Sequence, residues 1–141
     1  MRVIVLIAAF VFSGATSAGT LPDLGAAKNL VNQVMKQASS GDLRGGFETA
    51  KKYTSAPDAE FEAMLGQAEL QMPVMVSRFG KSYGYEVLRT DTVGESLVRV
   101  LALQKFEKHP TVWSFVFYRG QNGWLLDSIK YGDDPSIAFG G

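Results

Sequence analysis

The chain of 141 residues has no cysteine and a single histidine, His109. Together these shortages exclude disulfides, thiolate metal ligands and a cysteine nucleophile, and they leave zinc or iron with one imidazole where two or three such ligands are wanted. A Ser-His-Asp triad would also have to use His109, and no GxSxG turn exists to present its serine. His109 precedes Pro110 in an expected turn and reads as a solvated loop residue. No metal and no cofactor is expected. An excess of charge is missing too: 14 basic residues balance 14 acidic ones, and loss of the first 18 residues, with Arg2, leaves 13 against 14. Basic residues are scattered, with Lys51 and Lys52 the densest pair, so nothing predicts a phosphate-binding surface and nucleic acid is not an expected partner.

Long apolar runs are lacking except at the start. Residues 3–12 are ten consecutive apolar residues behind a Met1-Arg2 head, and small residues follow through Ala18. Ten residues fall short of the roughly 20 that span a bilayer, while the order of positive head, apolar run and small residues predicts a secretory signal over residues 1–18, cut after Ala18. The expected product is periplasmic or extracellular and free of the membrane after processing. It forms one domain over residues 19–141, with its core at about 24–134. With no covalent staple, the remaining 123 of 141 residues must be held by their hydrophobic core, which suffices at that size.

What is present is a change of period. Leu24, Ala27, Val31, Val34, Met35 and Ala38 recur at intervals of three and four and predict a helix, which Gly41 ends in a left-handed conformation. Asp42 is a cap for a second helix over 43–53 that buries Phe47 and Ala50, with Gly45 and Gly46 as close-packing or fraying positions. Ser55 and Asp58 suggest a capping box, with Pro57 in the first turn, for a third helix reaching Phe79 and bent by Pro73. From Lys81 the period becomes two. Strands are expected over 83–92, 96–106, 111–119 and 124–131, and the short turns between them make an antiparallel meander. In the last strand Trp124 and Leu126 share one parity while Ile129 and Tyr131 share the other, so a bulge at Asp127 and Ser128 is needed to bring all four to the core. Arg99 and Arg119 are candidates to pair with Glu86 or Asp127 across the sheet. Ile137 and Phe139 are candidates to dock the tail on the sheet edge.

Three segments carry a resemblance: Trp113-Ser114-Phe115-Val116-Phe117-Tyr118-Arg119, Gly123-Trp124-Leu125-Leu126, and Ile129-Lys130-Tyr131-Gly132-Asp133. They resemble the closing hairpin of small exported members of the nuclear transport factor two-like and SnoaL-like superfamily, and the stretch from Ser40 to Phe47 is similar to the step between its first two helices. The resemblance implies an α+β fold: three N-terminal helices packed on a curved four-stranded antiparallel meander, a cystatin-like cone. One departure is that the superfamily's usual extra strand between the helices has only residues 53–57 to form it.

Such a cone can enclose an apolar pocket, for which the candidate lining is Tyr85, Leu101, Leu103, Trp113, Phe115, Phe117, Met72 and Met75. The same aromatics can instead fill the hollow, and the methionines at helical spacing also read as core filler. The expected function is an exported, non-enzymatic binding or accessory domain that takes a partner protein on its exposed sheet face or a small apolar ligand in the cone, with homodimerisation through that face also open. The alternative is a cofactor-free isomerase or lyase of ketosteroid-isomerase type. It would use an inward Asp or Glu (Asp127, Asp91 and Glu86 lie on expected strands) beside a tyrosine such as Tyr85, Tyr118 or Tyr131.

Overall fold

The computed structural model describes residues 19–140, so the export signal expected over residues 1–18 lies outside the described residues. Three helices, α1 Leu24–Ser39, α2 Leu43–Lys51 and α3 Asp58–Phe79, precede four strands, β1 Ser82–Val93, β2 Leu97–Phe106, β3 Pro110–Gly120 and β4 Gly123–Gly132, and a 3-10 turn, η1 Pro135–Phe139, closes the order. The strands lie in chain order and each pairs antiparallel with its neighbour. This is the α+β meander that the change of period predicts.

Local chemistry sets the helix ends. Asp23 accepts a hydrogen bond from the Ala26 amide at 2.8 Å, and Asp42 accepts one from Gly45 at 2.9 Å, each satisfying a donor that the first turn leaves free. Gly41, at φ +96°, turns the chain out of α1. Gly46 lets α2 lie close on α1, because a Cβ there would come within 3.0 Å of the Val34 carbonyl oxygen. The start of α3 differs from expectation. Pro57 occupies the cap with no side-chain hydrogen bond, so the Ser55–Asp58 box does not form, and Asp58 and Glu60 favour the helix through its dipole instead. The helix continues through Pro73 to Phe79.

Register places the sheet faces. In β4, Ser128 pairs with Val116 and Leu126 with Phe117, leaving Asp127 as the extra residue of a bulge. The shift of parity puts Trp124, Leu126 and Ile129 in the core and Tyr131 against it, as the apolar pattern required. The inner face also carries Val98, Val100 and Ala102 of β2 and Trp113, Phe115 and Phe117 of β3, packed on Leu30, Val34 and Met35 of α1 and Phe47 of α2.

The outer face holds the ion pairs, but not those expected. Arg99 meets Asp91 at 3.0 Å, and Glu86 meets Lys105 at 3.6 Å, because the register sets these residues opposite or beside one another. The tail is held by its backbone. Arg89 Nη1 donates to the Ala138 carbonyl at 2.7 Å, and η1 lies against the interior strand β3, while Ile137 and Phe139 stay exposed and do not dock on the sheet edge.

Beside β4 the chain makes two short contacts. Leu21 exchanges both backbone hydrogen bonds with Trp124, at 2.9 and 2.8 Å, and the Leu126 amide donates to the Tyr53 carbonyl at 2.8 Å, forming a parallel bridge at Thr54. The second contact is all that residues 53–57 form of a strand between the helices. Gly123 permits the first: at φ +131°, it takes a position where a Cβ would stand 2.7 Å from the Leu21 carbonyl oxygen.

Candidate functional site

The eight candidate lining residues are not gathered around one space. Trp113, Phe115 and Phe117 face the helices and are 0% exposed. Phe47 reaches in from α2 until its ring lies 6.0 Å from that of Trp113 and 6.0 Å from that of Phe61, and Tyr131 stacks on Trp113 at 5.0 Å. These rings occupy the hollow of the cone. Leu101 and Leu103 pair with Ser114 and Val112 on the outer face, one residue out of phase with the aromatics. Tyr85 lies at the sheet edge, its hydroxyl donating to Asn32 Oδ1 at 3.0 Å. Met72 packs against the core from α3, and Met75 is half-buried one turn further on.

Where α1 ends, the inner face turns polar. Gln104, 1% exposed, donates to Ser82 Oγ at 3.0 Å and to the Ala38 carbonyl at 3.4 Å, and its carbonyl oxygen accepts from Trp113 Nε1 at 3.2 Å and Thr111 Oγ1 at 3.4 Å. Ser82 Oγ donates onward to the Ser39 carbonyl at 3.0 Å. The network ties the last turn of α1 to β1, β2 and β3, and no buried side-chain nitrogen or oxygen among the described residues lacks a partner. A buried amide satisfied on both atoms stiffens its surroundings.

Above this floor the helices part. A groove of about 640 Å³ runs between the α1–α2 turn and the second half of α3, with Leu43, Met72, Pro73 and Val76 as its apolar walls and Asp42, Arg44 and Glu69 on its rim. A narrower cleft of about 140 Å³ shares Leu43, Met72 and Val76 with it and descends to Ser82 and Gln104. The rim is fixed by charge. The Arg44 guanidinium hydrogen-bonds Glu69 and lies 3.6 Å from Glu48 and 3.7 Å from Glu62, and the Glu69 bond foremost holds its pKa above the usual arginine value. Lys51 adds two further ties from α2 to the same edge of α3, at 3.5 Å to Glu62 and 3.7 Å to Asp58.

A second cleft, also about 140 Å³, lies at the β4 bulge between Met64 and Phe61 of α3 and Asp127 of β4, with Glu60 at its mouth. Asp127 is exposed there. The described tyrosine hydroxyls with a hydrogen-bond partner meet amides, not carboxylates: Tyr85 meets Asn32, and Tyr131 meets Gln71. Asp91 faces the other way from what a general base requires. Hydrogen bonds from Arg99 and then Arg89 hold its carboxyl below the ordinary carboxylate range, whereas base catalysis in an apolar pocket needs it raised. His109 is more engaged than a solvated loop residue, since it stacks on Phe79 at 4.6 Å and its Nε2 donates to the Asp133 carbonyl at 2.7 Å. Among the described residues no three of His, Cys, Asp and Glu gather as a metal site, and no helix is long and apolar enough to cross a membrane.

No protein-family model matches the chain, and no curated protein matches it in sequence. Among solved structures it is similar to a Campylobacter jejuni protein named only by inference as an NTF2-like transpeptidase, at 14% identity over 72% of this chain and 97% of that one, with a TM-score of 0.50. It also matches the intermembrane-space region of the chloroplast protein ARC6, at 14% identity over 81% and 99%, with a TM-score of 0.39 that carries no weight. The first likeness shows the fold alone: the chain has a nuclear transport factor two-like architecture.

Proposed function

We propose that the chain is an exported, non-catalytic binding domain that takes an apolar segment of a partner protein in the groove between the α1–α2 turn and α3. One observation carries this reading. The hollow of the cone is occupied by the protein's own rings, while apolar side chains line an open groove outside it. An enclosed pocket buries most of a small ligand's surface; a groove open along its length suits an extended chain, with one anchoring side chain in the narrower cleft beside Met72 and Val76. That cleft also favours the second reading, a small apolar molecule, which would have to be little larger than a side chain. The isomerase or lyase alternative lacks its central geometry among the described residues, where no buried carboxylate stands beside a tyrosine hydroxyl.

Peptide selection tests the choice. Linear peptides selected from a displayed library on the purified protein are expected to be apolar, and to lose binding at least about tenfold with Met72→Glu while keeping it with Phe139→Glu. Binding unchanged by Met72→Glu would refute the groove. A small molecule retained in native mass spectrometry of the protein purified from its own source, and lost with Met72→Glu, would support the second reading. Export is tested by the N-terminal sequence of the secreted protein, expected to begin at Gly19.

A further inference from the structure

We infer that the solvent side of α3 is a self-association surface on which a second copy of this chain packs its own α3 antiparallel. At 100° per residue, Ala59, Ala63, Gly66, Leu70 and Val74 fall on one stripe, diametrically opposite the buried Phe61, Leu65 and Ala68. Leu70 is 73% and Val74 58% exposed, a large apolar surface on the face a helix normally keeps polar. The stripe is graded. Its first half is small and its second half large until Ser77 ends it, so a parallel neighbour would set bulk against bulk, whereas an antiparallel one sets Leu70 against Gly66 and Val74 against Ala63.

The flanks fit the same register. Related by a two-fold axis across the helices, equal flanks face each other, and positions whose numbers sum to about 137 come opposite by the same 100° geometry. Glu60 then meets Arg78 of the partner copy, an exposed guanidinium that lies 3.8 Å from Asp133 in its own chain, and Gln67 meets the amide nitrogen side of Gln71, whose oxygen accepts from Tyr131, at both ends of the pair. On the other flank Glu69 approaches its own copy, and Arg44 already neutralises it. The helix dipoles run head to tail, which favours the arrangement further. A strip about 33 Å long and about 10 Å wide offers on the order of 300 Å² per copy, below the ~800 Å² per partner of a standard interface. The dimer is therefore weak and concentration-dependent. The stripe is centred about 110° around α3 from the groove's wall of Met72, Pro73 and Val76 and borders the groove at Glu69, but Leu70 and Val74 do not line the groove, so neither reading depends on the other.

Sedimentation equilibrium of the purified protein over a range of concentrations tests this. A monomer–dimer equilibrium is expected, weakened at least about tenfold by Leu70→Glu, weakened by Arg78→Glu, and restored by Glu60→Arg together with Arg78→Glu. Exposure of these side chains keeps the fold intact, which circular dichroism verifies for each variant. Because the chain has no cysteine, orientation is read directly. Oxidising a mixture of Ala63→Cys and Val74→Cys proteins is expected to cross-link the two to each other in preference to either with itself. A monomer at every concentration, a dimer indifferent to Leu70→Glu, or like-with-like cross-links would overturn the inference.

Discussion

Helices α1 and α3 look alike in sequence, each an apolar repeat of three and four, yet the fold treats them differently. Seven of the 16 residues of α1 are buried, against four of the 22 in α3. The shorter helix spends its apolar face on the sheet, with Ala27, Leu30, Val31, Val34 and Met35 closing the core. The longer one touches the core with Phe61, Leu65, Ala68 and Met72, leaves Leu70 and Val74 in water, and lines a groove with Val76. Apolar side chains that do not build the interior are available for binding, and of the two helices only α3 carries large exposed ones, Leu70, Val74 and Val76.

Four substitutions and a pH shift break or sharpen that contrast. The largest effect belongs to the ring that fills the cone: Phe47→Ala is expected to cost about 3–5 kcal/mol, measured by urea unfolding, and a loss under about 1 kcal/mol would show that the hollow was never filled. Leu30→Ala in α1 follows, at about 2–5 kcal/mol. Asp42→Ala, removing the cap that α2 depends on, is expected to cost about 1 kcal/mol. Leu70→Ala, the same chemical change as Leu30→Ala, should alter the monomer's stability by no more than about 0.5 kcal/mol, and a cost equal to that of Leu30→Ala would erase the distinction between the helices. The smallest effect is alkaline. Burial pushes the Tyr131 phenol up, so the folded state holds its proton longer than the unfolded chain. Stability is then full below about pH 10, the ordinary tyrosine value, and declines as pH rises above it. Tyr131→Phe should remove that slope from stability measured across alkaline pH, and an unchanged slope would assign it to another group.

Much of this was legible in the sequence, and the exceptions have physical causes. The parity break between Leu126 and Ile129 required the bulge found at Asp127, and Asp42 announced its cap. By contrast, β2 is apolar on both parities, so alternation alone did not say whether Leu101 and Leu103 or Val100 and Ala102 point inward. The polar Gln104 sits on the inner parity because Trp113 and Thr111 satisfy it there, and Leu101 is covered on the outer side in the region where Arg89 ties down η1. That tie runs to a backbone carbonyl, which no side-chain pattern encodes. Periodicity likewise located the stripe on α3 without saying that nothing within the chain covers it. The groove needed two elements brought together, Leu43 and Val76, which are 33 positions apart in the sequence.

The two short contacts on β4 bear on how copies of the molecule could polymerise. Leu21 uses the outward amide and carbonyl of Trp124, and Tyr53 the outward amide of Leu126, so the first half of that flank is occupied, while β1 is the edge that presents its backbone groups along its length. Strand addition between identical molecules is therefore steered toward β1, because a margin already occupied over its first residues is the poorer template.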